Sequence, residues 1–185
     1  MVEESNLKYW RDAGHVARRT LEAMKDELQP GKTFHEIIEA AERFIHRHGG
    51  KPAFPGTIAV NDLAAHFTTN HQVLGVEGWD GDMVLQNGDC VKIDFGVHIK
   101  GHIGDNALTL EIGNSNQHTE QIKAAKEARD AAVEMMHPGT PWYKVGQAAA
   151  QPSLDAGFQP IRNLCGHQLK PCLLYTSDAA DDVEC

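Results

Sequence analysis

Residues 92–107 read Lys92-Ile93-Asp94-Phe95-Gly96-Val97-His98-Ile99-Lys100-Gly101-His102-Ile103-Gly104-Asp105-Asn106-Ala107. Alternating apolar and polar positions predict two strands, Cys90 to Val97 and His102 to Ile112, joined by a tight turn. With the turn centred on Ile99-Lys100, Asp94 stands directly opposite Asp105. Cross-strand partners hold their Cβ atoms ~4.5–5.5 Å apart on one face, so two carboxylates there repel each other. The neighbours Ile93, Phe95, Gly96, Ile103, Gly104 and Ala107 are apolar or small and leave little solvent screening. A shared proton, a basic side chain or a metal ion could compensate. Lys92, on the face of Asp94, keeps a plain ion pair open. A metal accounts for more: paired aspartates chelate or bridge divalent ions, and a histidine would complete a site suited to Mn, Fe, Co or Zn.

On the N-terminal side, Leu7, Trp10, Gly14, Ala17, Leu21, Met24 and Leu28 recur at steps of three and four, the stripe of an amphipathic helix that Pro30-Gly31 stops. Thr33 and Glu36 form a capping box for a second helix, whose apolar face is Ile37, Ala41, Phe44, Ile45 and His48 and whose C-cap is Gly49-Gly50. Thr57-Ile58-Ala59-Val60 reads as a strand, and the glycine-rich stretch from Thr69 to Asn87 as a long loop or loose hairpin. On the C-terminal side a helix is expected from about Thr119 to Met136, closed by His137-Pro138-Gly139. A further helix should begin near Pro141, with Pro152 breaking or kinking it.

The chain also repeats. Pro30-Gly31-Lys32-Thr33-Phe34 is echoed 108 positions later by Pro138-Gly139-Thr140-Pro141-Trp142, and Gly50-Lys51-Pro52 by Phe158-Gln159-Pro160 at the same offset. Each copy is a long helix, a Pro-Gly stop, a second helix and a proline-containing extended piece. A strand hairpin follows in the first copy. Its counterpart would fall near about 198 to 220, which makes residues 1–185 a fragment on this reading.

Composition excludes several classes. With 41% hydrophobic and 23% charged residues, the 185-residue chain has the make-up of a soluble globular domain. No apolar run reaches the ~18–20 residues of a membrane span, and the acidic start lacks a signal peptide's regions, so the cytoplasm is the default location. Cys90, Cys165, Cys172 and Cys185 have neither disulfide-framework nor zinc-knuckle spacing. The net charge of −9 argues against nucleic acid as a partner. Eleven histidines make a metal worth seeking. His66, in Ala64-Ala65-His66-Phe67-Thr68, and His167, in Leu164-Cys165-Gly166-His167-Gln168, are each ordinary when taken alone.

Four segments together resemble type 2 methionine aminopeptidases of family M24: Lys51-Pro52-Ala53-Phe54-Pro55, Ala64-Ala65-His66-Phe67-Thr68, Lys92-Ile93-Asp94-Phe95-Gly96-Val97-His98, and Pro160-Ile161-Arg162-Asn163-Leu164 with Gly166-His167. They occur in that family's order, between about Asn6 and Lys170. The resemblance implies an α+β "pita-bread" fold with a pseudo-twofold, in agreement with the 108-residue repeat. It implies that Asp94, Asp105 and His167 are three of five ligands to two divalent ions (Co, Mn, Fe or Zn), and that His66 is the catalytic histidine that contacts substrate. The ions would make a hydroxide available at neutral pH to attack the carbonyl after the initiator methionine, and one would hold the free amine. The implied reaction removes N-terminal methionine from nascent chains whose second residue is small, with a monomeric full-length enzyme.

The remaining two glutamate ligands and a second histidine are expected beyond residue 185, leaving this chain alone inactive or nearly so. Residues 1–171 are then a partial catalytic domain. The tail 172–185 matches nothing in the family's pattern and resembles translated adaptor read-through. The rival readings are a non-catalytic binding protein of the proliferation-associated type, and another M24 peptidase such as prolidase or aminopeptidase P. Asp94 and Asp105 argue against the first, and the segments around His66 and His167 against the second.

Overall fold

The computed structural model describes residues 6–69, 83–162, 164 and 166–175. The chain divides into two compact units, residues 1–115 with 166–185 and residues 116–165. Most of the expected 69–87 loop and the tail from residue 176 lie outside the described residues.

In the first unit, helix α1 (Leu7–Met24) and helix α2 (Phe34–Arg47) cover one face of an antiparallel sheet. The α1 stripe is buried at Ala17, Leu21 and Met24, joined by Ala13, Val16 and Thr20, whereas Leu7 is exposed. Thr20 is a polar residue with no exposed surface, and its hydroxyl donates to the Val16 carbonyl at 2.9 Å. The helix ends at Met24, a turn before Pro30, because the chain from Lys25 to Glu27 tightens into turns.

The Thr33–Glu36 capping box is present in both directions. The C-terminus of α2 closes as a Schellman motif. Gly49 sits at φ +80, its N–H donates to the His46 carbonyl, and the Gly50 N–H donates to the Ile45 carbonyl.

The sheet is centred on β3 (Cys90–Ile99). One edge of β3 pairs with β1 (Lys51–Pro52) and β2 (Thr57–Val60), and the other with β4 (His102–Glu111). Odd positions of β3 (Val91, Ile93, Phe95, Val97) are almost wholly buried and join α1 and α2 in one core with Ile58 and Leu85. Period-2 geometry therefore puts Lys92, Asp94, Gly96 and His98 on the opposite face. A short hairpin, β5 (Gln168–Lys170) and β6 (Leu173–Tyr175), completes the unit, with the Cys172 N–H donating to the Gly101 carbonyl at 2.7 Å.

The β3–β4 register corrects the expected one. The turn is Lys100-Gly101, at φ +51 and +80, and not Ile99-Lys100. Two-residue hairpin turns of this kind need positive φ at both positions, which glycine takes freely and a β-branched isoleucine resists. Asp94 consequently pairs with Ala107, and Asp105 with Gly96. The slip is two residues, so both carboxylates keep the same face but stand diagonally, not directly opposite.

The second unit holds helix α3 (Thr119–Met135) and helix α4 (Trp142–Asp155), as the periodicity predicts. Pro152 does not break α4, which runs on to Asp155. The proline stands in the last turn, where its missing N–H removes a single helical bond. The end is closed by the Ala156 N–H on the Pro152 carbonyl and the Gly157 N–H on the Leu154 carbonyl. Gly31 and Gly139 both have left-handed backbones, as do Gly49 and Gly157, each pair 108 positions apart. The repeat thus extends to backbone conformation. The proline segment differs between the copies: Lys51-Pro52 is a strand, and Gln159-Pro160 is not. No helix among the described residues is long and apolar enough to cross a membrane.

Candidate metal centre

The face of β3 and β4 turned away from the helices carries the charged groups. Asp94 and Asp105 are diagonal neighbours whose carboxyl groups come within hydrogen-bonding reach of each other. Asp94 Oδ1 is buried and has no hydrogen-bond partner among the described residues. Burial, then the Asp105 charge and the hydrogen bond to Asp105, push Asp94 up to about 6, while Lys92 and His66 pull it back. Lys92 is itself held below the ordinary lysine range by burial, against the pull of Asp94.

Gly96, the cross-strand partner of Asp105, has no room for a side chain, because the Phe54 ring lies where a Cβ would go. Thr57, on β2, is the cross-strand partner of Asp94 on its other side. His167 precedes β5 and sets its Nε2 3.1 Å from Asp105 Oδ2, both side chains about a quarter exposed at 26% and 21%. His66 lies in the loop after β2, exposed, with a left-handed backbone at φ +63, near enough for its charge to act on Asp94.

All four residues singled out from the sequence therefore gather in this unit. His167 joins Asp105, the two aspartates face each other, and His66 acts on Asp94. They do not form a finished ligand cage. Among the described residues no three His, Cys, Asp or Glu side chains converge as a group that could hold a metal ion.

The donor chemistry nevertheless suits a divalent cation. A buried carboxylate oxygen without a donor is costly beside a second carboxylate, and a cation would satisfy both. The sequence reading singled out neither Thr57 nor Phe54 as parts of the site. Register brings in Thr57, and the Gly96 vacancy brings in Phe54. A readable signal existed for Phe54, which lies in one of the four segments that carry the resemblance.

Comparison with known proteins converges on one family. A model described as "Metallopeptidase family M24" matches residues 8–174. The methionine aminopeptidase of Archaeoglobus fulgidus is 37% identical over 162 residues, 88% of this chain and 52% of that protein. The methionine aminopeptidase of Pyrococcus horikoshii is 37% identical over 173 residues, 93% of this chain and 55% of that protein. A crystal structure of methionine aminopeptidase from Rickettsia prowazekii superposes with a TM-score of 0.79 at 25% identity, covering 89% of this chain and 66% of that one. The chain spans about half the length of the curated relatives it matches.

Proposed function

The chain belongs to metallopeptidase family M24, and on that premise we propose that it serves the metal-dependent removal of N-terminal methionine from proteins whose second residue is small. The observation that carries this reading is the Asp94–Asp105 pair with its unpartnered buried oxygen, set beside His167. Names borne by relatives, "methionine aminopeptidase", supply the substrate class. The segments around His66 and Pro160 support a type 2 enzyme. Nascent chains with initiator methionine arise in the cytoplasm, and we place the reaction there.

In this reading Asp94, Asp105 and His167 hold divalent ions, Co, Mn, Fe or Zn. Such ions, when bound, supply Lewis acidity and a nucleophile at neutral pH. The protein's own groups do the rest. Asp94 must give up its proton to act as a ligand, and the nearby Lys92 ammonium favours that form. His66, exposed on the loop after β2, is the residue that contacts the bound substrate in this reading. The Phe54 ring packs against Gly96, the cross-strand partner of Asp105.

Three protein donors under-neutralise two dications, so residues 1–185 alone are expected to turn over Met-Ala-Ser peptides slowly or not at all. The decisive experiment replaces the matching half of the Archaeoglobus fulgidus relative with this chain's residues 6–170. Methionine release from Met-Ala-Ser by the hybrid, lost in Asp94→Ala, is expected. A hybrid that binds Mn2+ normally yet releases nothing would overturn the proposal and favour a non-catalytic binding role.

A further inference from the structure

Two non-glycine residues after β2 have left-handed backbones, Asn61 at φ +53 and His66 at φ +63. Conformations of this kind persist only where surrounding bonds over-determine them, and they cluster at functional sites. The bonds at Asn61 are explicit. Its side-chain Nδ2 donates to Asp89 Oδ1 at 2.9 Å, its Oδ1 accepts from the Cys90 N–H at 3.0 Å, and its own N–H donates to the Cys90 carbonyl at 2.9 Å. Asp89 is fixed in turn by the Gln86 N–H on its Oδ2 at 2.8 Å. Asn61 therefore ties the end of β2 to the start of β3 one residue past the last ladder pair, Val60 with Val91.

The other foot of the loop is equally defined. The Ile58 N–H donates to the Phe67 carbonyl at 2.9 Å, and the Phe67 ring meets Phe34 edge-on at 6.2 Å. Between these feet His66 makes no hydrogen bond of its own among the described residues, and it is exposed. Among the described residues no hydrogen bond holds its imidazole, so its position follows the loop that the two feet define.

We propose that Asn61 is a positioning residue for His66: its side-chain clamp on Asp89 and Cys90 fixes the 61–67 loop that carries the imidazole. This rests on the reading of Asp94 and Asp105 as the metal-holding pair, but the geometry of the clamp does not. Asn61→Gly removes both side-chain bonds while accepting positive φ at no steric cost. The double variant Asn61→Asp with Asp89→Asn exchanges donor and acceptor and rebuilds the clamp, since the new amide at position 89 can donate to the new carboxylate and still accept from Gln86.

The test uses the whole chain, with Mn2+ as a paramagnetic probe and the His66 ring and backbone amides followed by NMR. In Asn61→Gly, broadening of the His66 ring by Mn2+ should fall several-fold, while broadening at the Ile93 and Phe95 amides and the Mn2+ affinity stay within about twofold. Order parameters at Ala64–His66 should drop below ~0.6, the flexible range. The double variant should restore both. The proposal is overturned if His66 in Asn61→Gly is as ordered and as broadened as in the unaltered protein, or if the β3 amides lose their native shifts along with it. Should Mn2+ broaden nothing in the unaltered chain, the donors of residues 1–185 do not hold the ion by themselves, and the order parameters alone decide the role of Asn61.

Discussion

At the scale of single residues, the chemistry turns on Asp94, whose raised proton affinity has a definite consequence for stability. Its carboxyl is held at about 6 in the fold, against an ordinary aspartate value near 4, so the folded state favours the protonated form. That contribution is complete below pH ~4 and is lost as the pH rises through about 6. The melting temperature of the metal-free protein should accordingly fall over this window, and Asp94→Asn should flatten the fall; an unchanged slope in the variant would remove Asp94 as its source. Mn2+ competes with the proton, so the stabilisation it gives should grow across the same window and vanish on addition of a chelator. Lys92→Met removes the cation that opposes the shift and should move the midpoint upward. Both aspartates were legible in the sequence because carboxylates flanked by Ile93, Phe95, Ile103 and Gly104 have no ordinary reason to be there. Their diagonal placement was not. It depends on which dipeptide takes positive φ, and Lys100-Gly101 wins over Ile99-Lys100 for a backbone reason that alternation does not register.

Helix and strand backbones touch where α1 crosses β4. A Cβ at Gly104 would lie 2.5 Å from the Gly14 backbone nitrogen and 2.7 Å from the Ala13 carbonyl carbon, so glycine at 104 is what lets the helix backbone touch the strand. Gly104→Ala must push helix and strand apart and should destabilise by about 1–3 kcal/mol, the usual cost of overpacking. Gly14 is the informative contrast. It sits within α1, yet nothing lies within 4 Å of where its Cβ would go. Gly14→Ala should therefore stabilise by about 0.5–1 kcal/mol through helix propensity. Chemical denaturation of the two variants checks both signs. Gly14 lies on the apolar stripe, and periodicity alone would assign both glycines the same packing role. Periodicity locates faces; it does not say which of two facing glycines bears the contact. The capping box and the Schellman end of α2 were fully legible, because both are set by residues within a few positions of each other.

Across the whole molecule, the 108-residue repeat has two copies of one helix pair with different surroundings. In the first copy Ile37, Ala41 and Ile45 are buried in a core shared with β3. In the second, only Ala124 and Val145 are buried among the hydrophobic side chains of α3 and α4. Val133, Met136, Trp142 and Tyr143 remain exposed around the α3–α4 turn, Trp142 at 77% and Tyr143 at 64%. Large apolar side chains gathered at one turn are an association hazard in water. Sedimentation of residues 1–185 should show weight-average mass rising with concentration. Trp142→Ser with Tyr143→Ser should suppress that rise while leaving far-UV circular dichroism unchanged, since neither side chain is buried. A chain that stays monomeric with both aromatics in place would mean that these side chains are covered in solution. The helix pair was legible in the sequence because the apolar spacing from Ile122 to Met136 and the Pro138-Gly139 stop repeat the order of the first copy. Its exposure was not, because the spacing of Ile122, Ala125, Val133 and Met136 records an apolar face without recording what lies against it.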